Sequence, residues 1–338
     1  MPRLSDEKLK GLFSRVYNNK MQDNDCEDIK ELIKRTFGNG DFNPDPSLLH
    51  QFNNVIVKTA DEIAKPMVTD MLGLFANTQT QQRGNIVEID IPRQNKAKFV
   101  WSATGTGVDL IRVEGKRKIP AIPAHLQTGF YYEPLDLVTD SVDYFRKLVN
   151  DLGAAKARLY LNKVYEIIAH AVTGGKIPVA NVLSGDNLTI AQYNKLASTI
   201  SRVAGGKTIF VADTLLIDYF LDQLQTSKPN LLTDRVREDI LTELNPAEIG
   251  RTIAVNLVNP FTDETNSKVE LPVNKGYMFS GGTNKKPFEI VEYGGMRQLT
   301  ETDIEDERVK LKITQDASIN LIYGNAIGVV TENTAVSL

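Results

Sequence analysis

Few residues in this chain have types and spacings suited to chemistry, and each has to be weighed with its neighbours. Gly205-Gly206-Lys207-Thr208 ends like the phosphate-binding loop GxxxxGK(S/T), whose backbone N–H groups cradle a nucleotide. That loop needs a glycine five residues before Gly206, and Ser201 stands there. The order of elements is also reversed. A phosphate loop runs from strand into helix, so that the positive helix N-terminus faces the anion. Here helical spacing covers 189–203 and a short apolar run covers 208–212, which puts the glycines at the negative end of a helix. The stretch reads as a helix stop. A nucleotide-dependent enzyme using Gly206-Lys207-Thr208 remains the rival from another class.

His50, His125 and His170 are far apart and form no HxxxH or HxH pair, so no metal set is expected. His170 falls in the last turn of a predicted helix, where a partly protonated imidazole suits the dipole. Cys26 is the single cysteine, which excludes an intrachain disulfide framework. The acids around it in DNDCED disfavour a reactive thiolate. ETDIEDERVK (301–310) holds five acids but lacks the central glycine of a calcium loop, so it reads as a solvated turn. No GxSxG elbow occurs, and Asn187-Leu188-Thr189 is a sequon without a targeting signal before it. The expectation is a non-enzyme without cofactor, metal or catalytic residues. The first residues lack a signal-peptide core and no apolar run approaches a membrane span, so an intracellular origin and no membrane partner are expected.

Charge is distributed unevenly. Between Arg93 and Lys118 stand Arg93, Lys96, Lys98, Arg112, Lys116, Arg117 and Lys118 against only Asp109 and Glu114. That segment sums to +5 in a chain of net −4, which leaves −9 for the rest. An extended basic arm on an acidic body fits contact with another copy of the protein. A solvated loop, or one that touches nucleic acid, is the alternative.

The elements that must carry these residues follow from periodicity. Residues 4–37 read as helical, NPDPS at 43–47 as a linker, and a further helix is expected within 48–75. From Gly84 the pattern alternates: Val87, Ile89 and Ile91, then Ala97, Phe99 and Trp101, predict a hairpin. Extended pieces are expected at 108–114 and 126–133, joined through KIPAIPAH, whose prolines suit an edge. Residues 140–172 then carry the longest helical pattern, ended by Gly174-Gly175. The second half alternates helix and strand, with helices at 189–203, after Asp213 and at 233–244. Strands are expected at 252–258, 269–272, 277–279, 288–292, 309–314 and 319–323. The class is α+β.

The stretches GNIVEIDIPRQNKAKFVW, VEGKRKIP, FYYEPLDLVTDSVDYF, GYMFSGG, KPFEIVEYGGMR and INLIYGNAIGVV, in this order, resemble the major capsid proteins of tailed bacteriophages. The shell fold of that family is shared with encapsulins and herpesvirus capsids. The resemblance spans roughly residues 50–330 and implies an N-terminal helical arm (1–83) and an extended β loop (84–133) that includes Glu114-Gly115. It implies a peripheral domain with a spine helix (134–175 and 295–338) and an axial domain (176–294). It implies self-assembly into the hexamers and pentamers of an icosahedral virion capsid made in the host cytoplasm and enclosing double-stranded DNA. Scaffolding, portal and decoration proteins are the further partners it implies. Subunit contacts fall to Arg93, Lys96, Lys98, Arg112, Glu114, Lys116, Arg117 and Lys118. An encapsulin-like compartment is the close alternative. The Lys–Asn cross-links that some relatives form are not transferred, because no acceptor or catalytic acid matches.

Overall fold

The computed structural model describes residues 11–12, 15, 20, 22, 24–38, 45–91, 117–139, 141–204, 206–227, 248–250, 252–257, 259–281, 286–303 and 308–338. Helices α1 (Asp25–Phe37) and α2 (Pro46–Leu72) open the described chain. Strands β1 (Ala76–Gln81), β2 (Val87–Ile91), β3 (Arg117–Ala121) and β4 (Ala124–Tyr132) follow. A short α3 (Pro134–Thr139) leads into α4 (Ser141–Thr173). The second half holds β5 (Val182–Gly185), α5 (Ile190–Ala204), β6 (Thr208–Ala212) and α6 (Thr214–Ser227). It continues with β7 (Glu248–Ile249), β8 (Thr252–Asn256), β9 (Lys275–Ser280), β10 (Phe288–Asp303), β11 (Arg308–Leu321) and β12 (Ile327–Glu332). The α+β class is the one expected.

α4 has 33 residues, about 50 Å at the helical rise. It ends as its glycines dictate: Gly175 adopts φ 68°, Lys176 N–H donates to Ala171 O at 2.9 Å and Gly175 N–H to Val172 O at 3.2 Å. This pair of bonds is a Schellman stop, and the buried Ile177 follows it as the apolar plug. α5 begins with a reciprocal cap. Thr189 N–H donates to Gln192 Oε1 at 2.9 Å, and Gln192 N–H donates back to Thr189 Oγ1 at 3.4 Å. Asp213 caps α6 by accepting Leu215 N–H at 3.0 Å.

Two larger sheets form. One has four strands in the order β1-β10-β11-β4, the other six in the order β5-β12-β9-β6-β8-β7. Among the described residues β2 and β3 pair with each other alone, Ile89 opposite Ile119. β6 is buried at every residue and lies between β8 and β9, where a continuous apolar run belongs. Gly276 on β9 is required there, since a Cβ would sit 2.6 Å from the Phe210 ring. The sheets meet at aromatic contacts. Phe75, entering β1, stacks on Phe279 of β9 at 4.2 Å, and Tyr165 of α4 stacks on Tyr277 of β9 at 4.5 Å.

α4 serves two cores. Val149 and Leu152 pack with α1, α2, β4 and β11. Ala157, Tyr160, Leu161, Val164, Tyr165, Ile168 and Ala171 pack between the two sheets. A third core lies on the six-stranded sheet under α5 and α6, around Tyr193, Phe210 and Phe220.

Several expectations need correction. The pieces 309–314 and 319–323 are one strand, β11, because pairing with β10 and β4 runs on through the intervening residues, of which Gln315, Ala317 and Ser318 are buried. β10 is far longer than 288–292, reaching Asp303 across an irregularity between Tyr293 and Arg297. β4 belongs to the four-stranded sheet, paired Val309↔Tyr132 through Ala317↔Ala124, so it is not part of a free loop. β12, expected beside the spine helix, lies instead between β5 and β9. Its run IGVV is buried on both faces, which only an inner strand of the larger sheet can satisfy. The expected strands at 97–101 and 108–114 and the helix at 233–244 lie outside the described residues.

The end of β12 is held by one carboxylate. Glu332 accepts N–H from Asn187 at 2.8 Å, Leu188 at 2.6 Å, and Thr334 and Ala335 at 3.2 Å each. Burial pushes its pKa up, and these backbone donors outweigh burial to hold it below the ordinary value. Its contribution is therefore present above the unfolded carboxylate pKa and lost as pH falls through the lower folded value. Glu332→Ala leaves buried donors unpaired and should cost about 2–4 kcal/mol in urea unfolding at neutral pH. The gap between wild type and Glu332→Gln should narrow in acid.

Candidate functional site

The candidate site is a contact surface made by the β2–β3 ribbon, the edge strand β4 and the first turns of α4. The ribbon is fastened to its own chain at its base. Ile89 and Ala121 pack on Val291 and Tyr293 of β10, and Tyr293 Oη donates to Ala121 O at 2.8 Å. The base is buried because Ile89 and Ala121 share one face of the pair. Ile86 and Ile122 flank this base and stand 79% and 75% exposed.

Of the contact residues read from the sequence, Arg117 and Lys118 lie on β3 and are exposed. Lys118 Nζ is 2.7 Å from Glu88 Oε2 on β2, a hydrogen-bonded ion pair that raises the lysine's pKa. One basic charge of the ribbon is thus matched locally. Arg93, Lys96, Lys98, Arg112, Glu114 and Lys116 lie outside the described residues.

Among the described residues β4 is an edge of the four-stranded sheet, with no strand partner on one side of its backbone. A cleft of about 360 Å³ opens between β4 and the start of α4, with Phe130, Tyr131, Tyr144, Leu148 and Leu152 in its walls. Lys147 and Asp151 also line it, and the nearby Glu133 pairs with Arg308 at 3.2 Å. An apolar slot beside an open strand edge is suited to receive an extended segment. Periodicity had marked β4 as extended but gave no sign that it would be an edge.

Gly206-Lys207-Thr208 sits where the sequence put it. α5 ends before Gly206 and β6 begins at Thr208, while Lys207 O accepts Gly281 N–H at 2.8 Å. No helix N-terminus faces these glycines, so the geometry is not that of a phosphate loop. His125 Nδ1 lies 2.6 Å from Asp316 Oδ1, His170 Nε2 lies 3.7 Å from Glu166, and His50 is on α2. The histidines remain separate, and among the described residues no group of three or more His, Cys, Asp or Glu could hold a metal ion. Among those residues, too, no helix is long and apolar enough to cross a membrane. Asp316 also pairs with Arg83 at 2.7 Å and Arg297 at 3.3 Å; the hydrogen bond from His125 is the main cause of its lowered pKa.

Sequence reasoning missed a buried group. Lys156 of α4 is held between Asp61 of α2 and Glu292 of β10, at 2.8 and 3.0 Å. Each of the three looks like a solvated residue in its own local pattern.

Residues 8–331 match the protein family described as "SPbeta prophage-derived putative capsid protein YonB". The chain belongs to this family. It is 63% identical over 338 residues to the SPbeta prophage-derived uncharacterized protein YonB of Bacillus subtilis (strain 168), covering 99% of this chain and 100% of that protein. Solved structures with a similar chain path include the procapsid of satellite phage P4, at a TM-score of 0.48 and 12% identity, covering 83% of this chain and 90% of that one. The SrpI encapsulin of Synechococcus elongatus PCC 7942 gives a TM-score of 0.47 at 10% identity, covering 80% and 91%. No residue role is carried over from them. The protein is a prophage-type capsid protein.

The Lys118–Glu88 pair is exposed on both sides, so reversing Lys118 to Glu should leave the thermal midpoint close to wild type. If β3 meets a partner, the same change should lower the assembled fraction in sedimentation. An unchanged assembled fraction would place Lys118 outside the contact.

Proposed function

We propose that the chain is the shell subunit of an icosahedral capsid, in which identical copies close into hexamers and pentamers around double-stranded DNA. The family match over residues 8–331 is the observation that carries this reading. The two sheets suggest the division of labour. The four-stranded sheet with α2 and α4 is the peripheral part, and the six-stranded sheet with α5 and α6 is the axial part, making contacts around each ring. The segment between β2 and β3 reaches a neighbour, where its basic residues Arg93, Lys96, Lys98, Arg112, Lys116, Arg117 and Lys118 meet acidic surface. Glu114 belongs to the same segment. Residues before α2 latch a further copy. Single surface pairs contribute about 0–1 kcal/mol each, and closed symmetry multiplies them.

On this reading the protein is structural, acts in the virion after synthesis in the host cytoplasm, and works with scaffolding, portal and decoration proteins. Packaged DNA is touched without sequence preference. A capsid role is favoured over an encapsulin-like compartment because the family description is of a prophage capsid protein.

Deleting residues 94–116 should leave a folded protomer that forms only small oligomers in negative-stain electron microscopy, while wild type gives hollow polyhedral particles. Closed shells from the deletion variant would refute the reaching segment. Ala157→Pro breaks α4 where Ala157 is buried between the sheets; it should cost about 3 kcal/mol or more in denaturant unfolding and abolish particles.

A further inference from the structure

The buried trio Lys156, Asp61 and Glu292 has the makings of a covalent bond. Its side chains are only 6%, 10% and 4% exposed. Lys156 Nζ lies 2.8 Å from Asp61 Oδ1 and 3.0 Å from Glu292 Oε1. Tyr160, one turn along α4, donates its hydroxyl to Glu292 Oε1 at 2.8 Å. Lys65 Nζ stands 3.3 Å from the other oxygen of Asp61 and is half exposed. The site thus holds an amine, a carboxyl carbon beside it, a second carboxylate within proton-transfer distance of the amine, and an external cation.

We propose that Lys156 and Asp61 condense to an intrachain isopeptide bond, with Glu292 carrying the protons. Glu292 takes a proton from the Lys156 ammonium and passes it to an Asp61 oxygen. The freed amine attacks Asp61 Cγ, and Lys65 faces the negative charge on the tetrahedral oxygen. The nitrogen gives its second surplus proton, again through Glu292, to the hydroxyl. The C–O bond then breaks, water leaves and the C–N bond remains. One N–C bond forms, one C–O bond is lost, Glu292 ends as it began, and no oxidant or reductant is needed.

Three physical points favour the step. Fixed neighbours raise the effective concentration of amine and carboxyl far above that of free partners. Burial makes the unreacted ion pair costly to keep. Condensation removes two buried charges. Asp61 is the acyl donor because its second oxygen faces Lys65, whereas Glu292 is tied by Tyr160 in the position of an acid–base group. The bond joins α2 to α4 within one subunit and does not depend on the assembly reading.

Intact-mass measurement on the folded, full-length chain, taken after denaturation, tests this directly. Wild type should be about 18 Da lighter than its sequence, and a digest should give one branched peptide joining the segments that contain Asp61 and Lys156. Asp61→Asn should lose ammonia instead, about 17 Da, while Asp61→Ala and Glu292→Gln should keep their full mass. A wild-type mass equal to the sequence mass, in protein with native near-ultraviolet dichroism, overturns the proposal and leaves a buried ion pair. A branch from Lys156 to Glu292 overturns the assigned roles. The wild-type digest decides the matter even if a variant fails to fold.

Discussion

The architecture depends on one helix that must satisfy two cores. The first half of α4 closes the core under α1 and α2, and its second half fills the gap between the two sheets. The helix is shared between the two cores. Its length and its Schellman stop then fix where β5 and the larger sheet begin. A break anywhere along it separates the two halves of the molecule.

What the fold buries and what it leaves out follow from this. Aromatic side chains close the joint between the sheets, and charges are admitted there only in groups whose members satisfy one another. Glu332 is held by four backbone donors, and Lys156 by two carboxylates with Tyr160 completing one of them. The ribbon of β2 and β3 is different. Its base finds Val291 and Tyr293, but it forms a sheet of two strands, and a pair alone is marginal in water. Such a ribbon gains stability from whatever it lies against, which is why a partner subunit is the natural complement.

Much of this was legible in the sequence, for identifiable reasons. α4, α5, β6 and α6 could be read because local signals agreed: regular apolar spacing, Asp213 at the start of α6, and glycine pairs at the stops. The reversed order around Gly206-Lys207-Thr208 was legible for the same reason. Sheet membership was not, because strand order is decided by long-range pairing. β12 reads as one more apolar run until it is seen between β5 and β9, and β11 reads as two strands because Gln315, Asp316 and Ser318 interrupt its apolar pattern, although Gln315 and Ser318 are buried. Arg117 and Lys118 could be found by charge, but the Glu88 partner could not, since the pairing joins residues thirty apart. The trio around Lys156 was invisible because three ordinary charged residues come from α2, α4 and β10, and only the tertiary fold brings them together.

The central claim is that this protomer is complete only as one of many identical copies. Sedimentation velocity of the purified full-length chain at rising concentration tests it most directly. The account predicts a sharp, fast boundary of closed particles that grows at the expense of small species. A single slow boundary of monomer at every concentration, from protein with intact α4 and ribbon, would contradict it.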